Sequence, residues 1–319
     1  MSLSLLLAAV KKHGQWGYLA SDGEFRIPCQ YDQGQSFSED KAVVYLSDRC
    51  GVIDPSGEQI IPFEYEWLNY FSEDRIAFRK IGQKLGGFLD YQGEEIIAPQ
   101  FILPDIFSEN LASVKKEKLY GYINQAGHET IPFVFEYAGA FMEGSAPVLQ
   151  KGQYGAIDHS GQWLIYPKFS FLGNFSEGLA AAMNRSGNWG FVDRSGDWLI
   201  PPQYSQASYF SEGLAAVCKN DKWGFIDLAG EQVIDFSFEE SSFFRNGLAR
   251  MSQGGHWGLI GRDGKWEISP IYTVIFSLYN GFIPASIEDK AGYIDREGNI
   301  VIPFDYEESC PFVKVNSLA

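Results

Sequence analysis

Apolar residues along this chain come in short runs of four to six, bounded by turn residues. Such runs are too short for helices and suit strands. Three kinds recur. Strand A is an alanine-rich run such as Leu214 to Cys218, strand B a Trp-Gly-Phe-Ile-Asp run such as Trp223 to Asp227, and strand C a run such as Glu231 to Ile234. The order A, B, C repeats along the whole chain and predicts an antiparallel β-meander.

Aligning the chain on itself makes the period explicit. With Gly17 as phase zero, equivalent glycines are Gly51, Gly87, Gly121, Gly155, Gly190, Gly224, Gly258 and Gly292, spaced by 34 to 36 residues. A second glycine follows six residues later in all nine copies, from Gly23 to Gly298. Phase ten is always isoleucine, from Ile27 to Ile302, and phase fourteen is always Tyr or Phe, from Tyr31 to Tyr306. Phase twenty is Phe in eight copies and Leu278 in the other. The isoleucines and phase-fourteen aromatics are therefore expected in a continuous buried ladder, each isoleucine worth about 1.5–3 kcal/mol of burial.

The turns are equally regular. Between B and C, Asp54, Asp90, Asp158, Asp193, Asp227 and Asp295 (Asn124 in another copy) stand three residues before the second glycine. Asp first and Gly fourth describe a type I turn closed by a left-handed residue. That accounts for the Asp series without metal or catalysis. Proline follows strand C directly or one residue later, as at Pro28, Pro201 and Pro167, and is expected to end the strand because it lacks a ladder N–H. At phase twenty-three stand Asp40, Asp74, Asn110, Gly144, Gly178, Gly213, Gly247 and Gly281, residue types that tolerate positive φ. Extra residues fall only between A and B, around Lys80 to Gly86 and Arg185 to Asn188. These tips are expected to be free loops, and Gly187 within one of them to tolerate replacement better than Gly213.

The unit reads Trp-Gly-Phe-Ile-Asp-x-x-Gly, Ile-Pro-x-x-Tyr, then Phe-Ser-Glu-Gly-Leu-Ala, most fully at residues 189 to 217. On those residues the chain resembles the WG-repeat family of bacterial proteins over essentially its whole length. The tryptophan itself stands only at Trp16, Trp189, Trp223 and Trp257. The resemblance implies an all-β repeat fold and no particular reaction. The expected architecture is one domain over 1–319, a tandem array of nine three-stranded antiparallel meanders stacked as an open superhelical solenoid, with a closed β-propeller as the alternative. The open form is preferred because counting Leu5 to Val10 and Phe312 to Val315 as A strands gives ten of them against nine B–C hairpins.

Composition narrows function by exclusion. A formal net charge of −16 repels phosphate backbones, so nucleic acid is not an expected partner. The apolar run Leu5 to Val10 is too short to span a membrane and follows no basic region, and the four cysteines form no CxxC pair. A cytoplasmic protein without membrane contact is expected. The four histidines occupy four different phases, and no metal, cofactor or catalytic motif occurs. No enzyme activity is therefore expected.

Two series invite a binding reading. Glu39, Glu73, Glu109, Glu143, Glu177 and Glu212 each precede the left-handed position. They form either a stripe for a basic partner or, the reading favoured, local acceptors for turn amides. Aromatics before the first glycine, with Trp189, Trp223 and Trp257 the leading candidates, are either inter-repeat core, again favoured, or exposed rings for stacking on sugars. The expected function is a non-enzymatic scaffold for a protein or peptide, with a carbohydrate or cell-wall binder as the alternative and an enzyme third.

Overall fold

The computed structural model describes residues 4–316. Every regular element among them is a strand, and no helix long and apolar enough to cross a membrane occurs. The A, B and C runs are strands as expected, and a fourth, here D, follows C. Around the sixth glycine, D is Phe171–Ser176, A is Leu179–Met183, B is Trp189–Val192 and C is Trp198–Tyr204. They form a four-stranded antiparallel sheet in the order D–A–B–C. Six such sheets are separate, and two repeats merge into a seven-stranded sheet because C and D run on as one strand, Gln59–Leu68. No meander is therefore only three-stranded: each borrows the D strand of the preceding repeat.

The first sheet borrows its D strand from the last repeat. Ser4–Lys12 pairs with Glu308–Ser309 and with Val313–Asn316, in register Val10↔Ser309 and Leu7↔Val313. The segment counted in the sequence as a tenth A strand is thus a D strand, as the phase of Phe312 requires. Among the described residues nine A strands stand against nine B–C hairpins, without the surplus strand that favoured the open form.

Strand C does not stop at proline. It runs on to the phase-fourteen aromatic, as in Trp198–Tyr204 through Pro201 and Pro202. Its register against B slips, Phe191↔Ile200 being followed by Trp189↔Tyr204, so residues 201–203 bulge opposite Gly190. Bulged N–H groups donate nothing to B, which is why proline fits there. The bulge also explains the first glycine. A Cβ on Gly190 would lie 2.4 Å from the Ile200 carbonyl oxygen, and one on Gly224 2.5 Å from that of Ile234. Any side chain would push strand C away. The second glycine answers a different need. Gly230 has φ +83°, as the B–C turn demands, and its Cβ position faces the Ile200 side chain of the preceding repeat at 3.2 Å.

All nine phase-ten isoleucines are buried, as are all nine phase-fourteen aromatics. Six of these isoleucines, among them Ile27, Ile131 and Ile200, face the next repeat's hairpin glycine. The B–C turn is the one predicted: Gly196 N donates to Asp193 O, and the Asp193 carboxylate accepts the amides of Ser195 and Asp197. The Ser195 hydroxyl and these amides hold the Asp193 carboxyl below the usual range. Gly178, Gly213 and Gly247 have positive φ as expected, but so does Gly187, at +83°. Its tip repeats the B–C turn, with Asn184 accepting the amides of Ser186 and Asn188, so Gly187 is no freer in conformation than Gly213.

The described residues fall into two compact units. One holds the chain up to Ile106 and again from Tyr272, the other Phe107–Ile271.

Candidate functional site

The Phe-Ser-Glu-Gly motif makes the turn from D into A. Glu177 and Gly178 both have positive φ, +55° and +82°, the signature of a two-residue type I′ hairpin. The motif's Ser and Glu then reach the next repeat. The Ser176 hydroxyl donates to Phe210 O at 2.7 Å, as Ser211 does to Phe244 O at 2.8 Å. The Glu143 carboxylate accepts the amides of Glu177 and Gly178, and those of Glu177 and Glu212 accept Gly213 N and Gly247 N. Glu109 caps Gly144 N, and Glu39 caps the amides of Glu73 and Asp74. Turn amides are indeed the acceptors' partners, one repeat on and not local. Glu73 shares the left-handed turn conformation, φ +53°. Glu39, Glu109, Glu143, Glu177 and Glu212 are thus clamps from one D–A turn to the next, their carboxylates at work inside the fold.

Trp189, Trp223 and Trp257 are all half-buried at sheet margins. Trp223 packs on the core around Phe225 and Ile234, and Arg250 lies 6.0 Å over Trp257. Trp189 differs. It ends a run of ring contacts, Tyr120–Tyr137–Tyr154–Phe171–Trp189, at centroid distances of 5.1 to 6.1 Å. The run alternates the residue before the first glycine with phase sixteen, so it crosses from sheet to sheet.

Beside Trp189 opens a cleft of about 550 Å³ between the D strands of the fifth and sixth repeats. Phe171, Trp189, Tyr209 and Met142 wall it, Ala181 floors it, and Asn174, Ser176 and Ser208 supply its polar edge. Tyr209 and Met142 are 43% and 47% exposed, unusually open for large apolar side chains lining one cleft. Tyr209 also contacts Phe243 at 4.9 Å, which carries the aromatic surface into the seventh repeat. The volume lies in the range of ligand pockets. The lining holds no carboxylate, imidazole, amine or thiol, and the Ser176 and Ser208 hydroxyls donate to backbone carbonyls. Such walls can bury an apolar group and offer a few hydrogen bonds. Among the described residues, no group of three or more His, Cys, Asp or Glu is placed to hold a metal ion.

Of the residues singled out in the sequence, only Trp189 lines this cleft. The repeat pattern does not mark Phe171, Tyr209 and Met142, because phases sixteen, nineteen and twenty-one vary between repeats. The available signal was local: aromatics at phase sixteen in two successive repeats, Tyr137 and Phe171, and at phase nineteen in the next two, Tyr209 and Phe243.

The profile of the family described as WG containing repeat matches nine successive segments, from 16–50 to 292–317. No curated protein matches the chain. Among solved structures, one described as a eukaryotic initiation factor is similar with a TM-score of 0.70 at 9% identity, over 98% of each chain. BamB from Moraxella catarrhalis is more distant, with a TM-score of 0.48 at 11% identity over 81% of this chain and 88% of its own. At these identities the likeness concerns the fold alone.

Proposed function

The chain belongs to the WG-containing-repeat family, and from that premise we propose that it is a non-enzymatic interaction module that holds a protein or peptide segment. The observation that carries this reading is the apolar cleft walled by Phe171, Trp189, Tyr209 and Met142. A Leu- or Phe-sized side chain buried there gains about 1.5–3 kcal/mol, enough to anchor an otherwise shallow contact. The four cysteines are free thiols, which suits action in a reducing compartment such as the cytoplasm. A carbohydrate ligand has less support. Successive rings of the Tyr120-to-Trp189 run are tilted by 48° to 59° and offer no flat platform for a sugar.

The test is selection of peptides from a displayed random library on the whole chain, followed by titration. Tyr209→Ala and Trp189→Ala are expected to weaken selected peptides by about tenfold or more, in line with loss of a buried aromatic anchor, while the fold persists. Peptides that bind both variants as well as the parent, or a glycan array that binds where peptides do not, would overturn the proposal.

A further inference from the structure

In the fifth, sixth and eighth repeats the residue four places after the first glycine acts as a staple. It lies over the phase-twenty Phe of its own sheet and reaches the clamp glutamate of the preceding sheet. His159 stacks on Phe141 at 4.4 Å and puts Nε2 2.9 Å from Glu109. Arg194 lies 5.0 Å over Phe175 and donates to the Glu143 carbonyl at 2.7 Å and to its carboxylate at 3.0 Å. Arg262 lies 5.8 Å over Phe244 and donates to the Glu212 carbonyl at 2.6 Å. Two repeats on from Glu177, the equivalent position by phase is Leu228, 44% exposed and unable to donate from its side chain. Glu177 accepts Gly213 N on one oxygen; among the described residues its other oxygen has no partner.

This interruption in a run of four falls beside the cleft, whose wall includes Ser176, the neighbour of Glu177. The chain as a whole carries a net charge of −16, which favours a cationic partner. We infer that the partner itself supplies the missing cation: the docked segment carries an arginine that pairs with Glu177, next to the apolar residue seated between Tyr209 and Trp189. Arginine fits better than lysine because Arg194 uses its fork on carbonyl and carboxylate together, a geometry an ammonium does not reproduce. The exposed Leu228 side chain then packs under the aliphatic stem of that arginine. This inference rests on the cleft being the docking site.

Library selection distinguishes the two. Peptides enriched on the parent chain are expected to combine an aromatic or large aliphatic residue with an arginine. Replacing that arginine by glutamine should weaken binding about two- to fivefold, the worth of an exposed ion pair. On Glu177→Gln the penalty should vanish. On Leu228→Arg, which installs the internal staple, the arginine preference should vanish too, while binding through the apolar residue remains. Enrichment of apolar peptides without arginine, or an arginine preference that survives in both variants, overturns this inference and leaves the cleft proposal standing. Failure to enrich any peptide sensitive to Trp189→Ala overturns both.

Discussion

The D–A turns and the A–B tips use the same backbone device, yet the chain treats them differently. Glu177-Gly178 in a D–A turn and Lys151-Gly152 in an A–B tip are both two-residue hairpins with positive φ at both positions. The eight D–A turns all keep one length, whereas A–B tips lengthen in two. The difference lies outside the turns. A D–A turn sends the Ser176 hydroxyl to Phe210 O and the Glu177 carboxylate to Gly213 N, both in the next sheet. The A–B tip receives one modest contact, Gly152 N donating to Glu136. Length is therefore fixed by the inter-sheet bonds that depend on it, not by the turn.

The sharpest way to break this comparison is to insert one glycine in each place. Between Glu177 and Gly178 the insertion should cost about 3 kcal/mol, because it misaligns strand A and both inter-sheet bonds. Between Lys151 and Gly152 it should cost about 1 kcal/mol or less. Chemical denaturation of both proteins checks it, and equal midpoints would mean that the turns themselves set the length.

A smaller effect separates backbone need from position. Gly213 and Gly187 both have positive φ, +78° and +83°, and no atom lies within 3.4 Å of either Cβ position. Replacing either by alanine should cost about 1–2 kcal/mol, the left-handed penalty alone. Equal shifts in thermal unfolding are expected, and a much smaller shift at Gly187 would show that its tip relaxes to another turn.

The smallest effect is electrostatic. The amides of Gly255 and Gly254, in an A–B tip, hold the Glu239 carboxyl below its usual range. A carboxyl lowered by folding stabilises the fold above its unfolded pKa, and that contribution fades as pH falls through the lower folded value. The parent should therefore lose a slight increment of melting temperature in acid that Glu239→Gln lacks from the start. Glu239 is fully exposed, so the increment should sit near the limit of detection in salt.

The sequence by itself determined the period, the B–C turn chemistry, the left-handed positions, the burial of phases ten and fourteen and the family. Each depends on contacts a few residues away or on a hydrophobic pattern that folding can satisfy in one way. Only the tertiary structure decided what those residues touch. The bulge of Pro201 and Pro202 over Gly190 reverses the reading of proline as a strand end, because a bulge is defined by the opposing strand. The pairing of Leu7 with Val313 joins segments some three hundred residues apart, whose partners no local pattern names. Glu143 and Glu177 share one sequence phase, yet the carboxylate of one meets Arg194 and that of the other only Gly213 N, since each staple comes from a residue two repeats on and there the phase holds Leu228. The cleft arises where variable phases of adjacent repeats converge, and convergence is a property of packing that repetition along the chain does not record.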